Sequence, residues 1–152
     1  MDIRINQILD KVSSTPHFVG IELVDVNTTN ALGDNALHRV CVWGDVEAAK
    51  TLMEAGININ RFGDRGYTPL HTACMFGHLA LVELLVSKGA DLFAQSDGDI
   101  PFTAARLGGN DAICNYLSPL MELALSHQRD AYVRSRIEQL KREISRLEAT
   151  LS

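Results

Sequence analysis

The feature that most constrains this chain is a recurrence: Gly33, Gly66 and Gly98 stand 33 and 32 residues apart, and neighbouring residues recur with them. The first segment reads Gly33-Asp-Asn-Ala-Leu-His38, then Trp43-Gly44-Asp45, then Leu52-Met-Glu-Ala-Gly56-Ile-Asn58. The second reads Gly66-Tyr-Thr-Pro-Leu-His71, then Phe76-Gly77-His78, then Leu85-Val-Ser-Lys-Gly89-Ala-Asp91. The third, Gly98-Asp-Ile-Pro-Phe-Thr103 followed by Gly108-Gly109-Asn110, keeps the layout with weaker residues. Asp25-Val-Asn27 matches Asn58-Ile-Asn60, so a truncated unit is expected ahead of the three. A period of this length marks stacked supersecondary units, each too small to hide its own apolar face.

Within a unit, two short apolar-periodic stretches flank a Gly-containing turn and end at another Gly, which reads as helix, turn, helix, loop. In the second unit Thr68 caps a helix that opens on Pro69, where the missing amide hydrogen costs nothing. Leu79, Val82 and Leu85 give the next helix a buried stripe, and Gly89 ends it in the left-handed conformation. Apolar spacing at Ile5, Ile8, Leu9 and Val12 predicts an N-terminal capping helix. The fold class is therefore all-α, a solenoid of a cap and about three repeats, expected over residues 1–118.

These motifs resemble the ankyrin repeat, whose Gly-x-Thr-Pro-Leu-His signature is complete only at Gly66 to His71, with the likeness running from Ile5 to Leu117. The resemblance implies that His38 and His71 are structural, bonding backbone between adjacent loops, and Thr103 takes that place in the third unit. It also implies a protein partner on the concave face, built from turn tips and first helices. Those positions are Ala31, Leu32, Asp34, Val42 and Trp43; Asp64, Arg65, Tyr67, Met75 and Phe76; and Ser96, Asp97, Asp99 and Leu107. Aromatic residues, Met and Arg among them are the types that dominate binding energy, and the surrounding Asp residues fit a partner with an apolar knob and basic surroundings.

Residues 119–152 contain no Gly and no proline beyond Pro119, so Ser118 and Pro119 read as the cap and first position of one long helix. From about residue 133, Val133, Ile137, Leu140, Ile144, Leu147 and Leu151 fall at alternating steps of four and three, a heptad seam suited to oligomerisation. Its flanking pairs, Arg136 with Lys141 and Glu143 with Glu148, set like charges opposite each other in a parallel homodimer, which leaves orientation and self-pairing open.

Composition excludes several functions. The net charge is −5 with Lys and Arg dispersed, so no basic patch tracks nucleic acid. No apolar run is long enough for a membrane span, and no basic leader precedes a hydrophobic stretch. Three cysteines fit free thiols in a reducing cytoplasm, the expected location. No phosphate loop, His-Glu-x-x-His or Cys-x-x-Cys occurs, so no cofactor or metal is expected and no catalytic residue is assigned. Asp97-Gly98-Asp99 lacks the further ligands of a calcium loop. The leading reading is a non-enzymatic module that binds one protein. Compactness is similar to small bacterial ankyrin proteins, some of which are immunity partners inhibiting a basic toxin enzyme. The alternative is a scaffold or assembly subunit, a homodimer through the C-terminal helix.

Overall fold

The computed structural model describes residues 2–151, with side chains to residue 150. Seven α-helices follow in order: α1 (Ile3–Ser13), α2 (Ala36–Trp43), α3 (Val46–Glu54), α4 (Pro69–Phe76), α5 (Leu79–Ser87), α6 (Pro101–Leu107) and α7 (Asp111–Leu151). Among the described residues no strand forms beyond an isolated bridge between Ser96 and Asp99. The chain is an all-α repeat solenoid followed by a C-terminal helix.

Helices α2, α4 and α6 pack in succession, and α3 packs on α5 behind them. Leu37, Val40, Leu52, Leu70, Leu81, Val82 and Leu85 are fully buried between them, and α1 contributes Leu9 and Val12 to the same core. Leu79 is only half-buried, with Leu81 completing the stripe instead. Thr68 caps α4 with Pro69 in its first turn, and Gly89, beyond the end of α5, has φ +91°.

Two sets of long-range hydrogen bonds hold successive units in register. The Asn27 side chain donates to the Gly56 carbonyl at 3.2 Å and accepts from the Asn58 amide at 2.7 Å. One unit later Asn60 does the same with Gly89 (3.2 Å) and Asp91 (2.8 Å). The matching place in the next unit is Phe93, and this ladder stops. On the helix side, His78 donates to the Val42 carbonyl at 3.1 Å, and Asn110 donates to the carbonyls of Cys74 (2.8 Å) and Met75 (3.1 Å).

Ser118 and Pro119 do not begin a helix. Helix α7 starts at Asp111, its first turns burying Ile113 and Leu117 as the second helix of the third unit, and Pro119 lies in its interior. Proline there removes only one donor, whose carbonyl partner four residues earlier belongs to Asn115, an exposed residue that solvent can reach. Contacts divide the chain between Leu117 and Ser118 into two compact units. In the second, every described residue from 127 onward is exposed.

Candidate functional site

The first-helix face of the repeats carries an open hollow of about 290 Å³ lined by His17, Phe18, Asp34, His38, Arg39, Val42, Asp64, Tyr67, Thr72 and Phe76. Its shape depends on the junction between the first two units. Asn35 and His38 form a capping box at the start of α2; the Asn35 amide donates to His38 Nδ1 at 3.1 Å. That leaves Nε2 to carry the proton and donate to the Tyr67 carbonyl at 3.0 Å. Asp34 Oδ1 accepts from the Asp64 amide at 2.9 Å, pinning the next turn. Gly63 sits against both groups: a methyl there would lie 1.9 Å from Asp34 Oδ1 and 2.8 Å from His38 Nε2.

The second junction repeats the device. The Thr68 amide donates to His71 Nδ1 (3.1 Å) and His71 Nε2 donates to the Asp99 carbonyl (3.1 Å). The Tyr67 ring stacks on His71 with centroids 5.3 Å apart, which fixes its place on the rim. Burial holds the pKa of both His38 and His71 below the ordinary 6.5, against the opposing pull of their backbone acceptors and nearby carboxylates. They are structural, as the resemblance implied.

The cysteines three residues beyond them are thiols that burial keeps protonated. Cys41 and Cys74 are fully buried, and burial pushes the Cys41 thiol up, with Cys74 as neighbour adding to it. The Cys74 thiol is pushed up to about 12 by burial, with Cys114 contributing. No group of three or more His, Cys, Asp or Glu able to hold a metal occurs among the described residues. Nor is any helix among them long and apolar enough to cross a membrane.

Of the residues expected to touch a partner, Asp34, Val42, Asp64, Tyr67 and Phe76 come together in this hollow. Phe76 is 53% exposed, so it is presented and not packed away. Trp43 does not join them. It lines a second hollow with Arg4, Gln7, Ile8, Lys11 and the start of α3, and the Lys11 ammonium lies 4.2 Å from its ring centroid. Leu32, Arg65, Asp97 and Leu107 are exposed, while Met75 and Asp99 are half-buried; none of the six lines the hollow. Arg65 holds φ 54° at the tip of the turn Asp64–Gly66, and Asp97 holds φ 41° in the third.

Sequence reasoning missed four lining residues. Arg39 and Thr72 occupy the same place in successive units, directly after His38 and His71, so the repeat phase alone could have found them. His17 and Phe18 lie in the irregular turn after α1, where no period points to them. Arg39 bonds His17 through Nη2, while its buried Nε has no hydrogen-bond partner among the described residues, so the hollow holds a cation as well as the Asp34 and Asp64 carboxylates.

The sequence matches the family described as ankyrin repeats (3 copies) over residues 10–96. The chain belongs to the ankyrin-repeat family. Repeats of this family bind proteins, and the chain is a protein-interaction module. Over 85 residues it is 36% identical to protein phosphatase 1 regulatory subunit 27 of Mus musculus and of Homo sapiens, covering 55% of this chain and 55% of each relative. Over 110 residues it is 33% identical to the SMC5-SMC6 complex localization factor protein 1 of Homo sapiens, covering 70% of this chain and 10% of that protein. The chain thus spans about half the length of the phosphatase subunits it matches. These relatives are animal proteins, and the expected bacterial grouping finds no support among them.

Proposed function

We propose that this ankyrin module is a regulatory subunit whose first-helix hollow receives an apolar side chain of a protein partner, with basic residues around it. The observation that carries this reading is the grouping of Tyr67, Phe76 and Val42 beside the Asp34 and Asp64 carboxylates in one preformed hollow. A rigid aromatic wall loses little entropy on binding, and carboxylates beside it steer a basic surface toward it. Asp34 already accepts the Asp64 amide, so Asp64, which is exposed, is the freer carboxylate. Arg65 and Leu32 extend the same surface at the turn tips, Met75 lies on α4 beside Phe76, and Asp97, Asp99 and Leu107 lie on the third unit.

Inhibition of an enzyme is the narrower form of this proposal. The relatives named as phosphatase regulatory subunits favour action on an enzyme over passive spacing, whereas immunity against a toxin draws on the acidic surface alone. The free thiols Cys41, Cys74 and Cys114 are in keeping with a reducing, cytoplasmic setting.

The test is capture of partners from native cells by the wild type, by a Tyr67→Ala, Phe76→Ala double variant and by Trp43→Ala, each confirmed folded by circular dichroism. One stoichiometric protein captured by the wild type and by Trp43→Ala but lost from the double variant is the expected result. Retention of that protein by the double variant overturns the assignment of the hollow.

A second reading, assembly through the C-terminal helix, is favoured by one observation: Val133, Ile137, Leu140, Ile144 and Leu147 are 42–61% exposed along a single heptad seam. The side chain of Leu151, the last seam position, lies outside the described residues.

A further inference from the structure

We infer that the C-terminal helix pairs with a second copy of itself in antiparallel orientation. This rests on the assembly reading of the seam and goes beyond it by fixing occupant, direction and register.

The apolar positions come first. Ile137 and Ile144 occupy one core position of the heptad and Val133, Leu140 and Leu147 the other; all five are exposed along α7. The seam has a sharp beginning: one heptad earlier the same two positions hold Ser126 and Asp130. Apolar side chains in that register on an exposed helix are the pattern that buries itself against another helix.

Charge then selects the partner and its direction. The residues flanking the core are Arg129, Arg134, Arg136 and Lys141 toward the N-terminal side and Glu143 and Glu148 toward the C-terminal side, all exposed. In a parallel pair, contacts run from one flank to the residue five further on in the other chain. Arg129 meets Arg134, Arg136 meets Lys141, and Glu143 meets Glu148: every such pair repels. Reversing one helix lays the basic half of one copy along the acidic half of the other. Two Arg134–Glu148 pairs then attract and only the central pairs repel, whereas every flanking pair of the parallel dimer repels. The helix thus fits its own reverse better than a parallel copy, which favours an antiparallel second copy as occupant.

The register follows from the ends of the seam. With Leu140 opposite Ile144 of the second copy, Ile137 falls opposite Leu147 and Val133 opposite position 151, so every core position meets another core position of the seam. Sliding by one heptad toward the N-terminus sets Asp130 against Leu147, burying a lone carboxylate. In the favoured register Glu148 lies across from Arg134 of the second copy at either end, while Lys141 and Glu143 at the centre face their own counterparts. Within its own chain Lys141 bonds Glu138 at 3.2 Å, which offsets part of the repulsion it meets at the centre of the pair. Three heptads make a weak coil, so the expected dimer is reversible.

The orientation is tested by one substitution whose effect changes sign. In a parallel dimer Glu148→Lys turns the Glu143–Glu148 repulsion into attraction and tightens association. In the antiparallel dimer it replaces two attractive contacts by two repulsive ones and weakens association by about tenfold. Sedimentation equilibrium of the full chain at low salt and submillimolar concentration measures both, with Ile144→Asn as a variant that disrupts the seam in either orientation and circular dichroism checking helicity. The expected result is a wild-type dimer weakened by Glu148→Lys and abolished by Ile144→Asn. A wild-type monomer overturns the assembly reading itself. A dimer unchanged or tightened by Glu148→Lys overturns the antiparallel pairing alone.

Discussion

The two units of this molecule hold their structure in opposite ways. In the repeat unit, side chains reach across about thirty residues of sequence: Asn27 to Gly56 and Asn58, His38 to Tyr67, His71 to Asp99, Asn110 to Cys74. In the helix beyond Leu117 the hydrogen bonds are those of one turn to the next, and the apolar seam is left in solvent. A surface fixed by long-range bonds is preorganised and binds at low entropic cost. A helix that has buried nothing gains its stability from whatever it meets. In the proposed reading one unit is a finished binding surface and the other is half of an interface.

The largest effect that sharpens this contrast is truncation of a core leucine. Leu70→Ala removes a fully buried side chain between α4 and its neighbours, and should cost the repeat unit about 3 kcal/mol in urea unfolding. Leu140→Ala, on the exposed seam, should leave that transition within about 0.5 kcal/mol. Equal losses at the two sites would break the distinction. Next, His71→Ala leaves the Thr68 amide without its acceptor and removes one of the donors to the Asp99 carbonyl, which keeps the Ser96 amide, at a cost of about 2 kcal/mol. Hydrogen exchange should then show α6 opening before α2 and α4, because α6 begins at Ile100 with no side-chain cap of its own.

Acid provides a further test. His38 and His71 are held neutral in the fold by burial, with folded pKa values below the ordinary 6.5, while the unfolded chain titrates near that value. The unfolded state then binds more protons in the window from 6.5 down to the folded values, so stability falls as pH falls through it. Urea midpoints across this window check the sign, and His71→Gln should flatten the slope. The smallest effect concerns Arg65: its left-handed backbone favours glycine, so Arg65→Gly should be neutral or stabilising by a few tenths of a kcal/mol. A loss of stability would mean that the Arg65 side chain holds the turn.

The repeat unit was far more legible in the sequence than the site upon it. Gly33, Gly66 and Gly98 announce the period, and Thr68, Pro69 and His71 sit where the motif requires, because period and capping are local properties written at fixed offsets. The start of α7 was not legible. Ser118 and Pro119 carry a strong helix-start signal, yet burial of Ile113 and Leu117 and good helix formers on both sides override it. The separation of Trp43 from Tyr67 and Phe76 was equally out of reach. Trp43 and Phe76 are equivalent in the repeat, but Trp43 faces α1 and Lys11 whereas Phe76 faces the preceding full unit. What lies beside a residue in a solenoid depends on the neighbouring unit, and the first unit has an irregular neighbour.

The most direct measurement is hydrogen–deuterium exchange of the full chain with and without its captured partner, read separately over residues 34–43, residues 64–76 and residues 133–151. The account predicts protection by the partner at 34–43 and 64–76, around the hollow, with none added on the seam. Protection confined to residues 133–151 would contradict it and make the helix the binding surface.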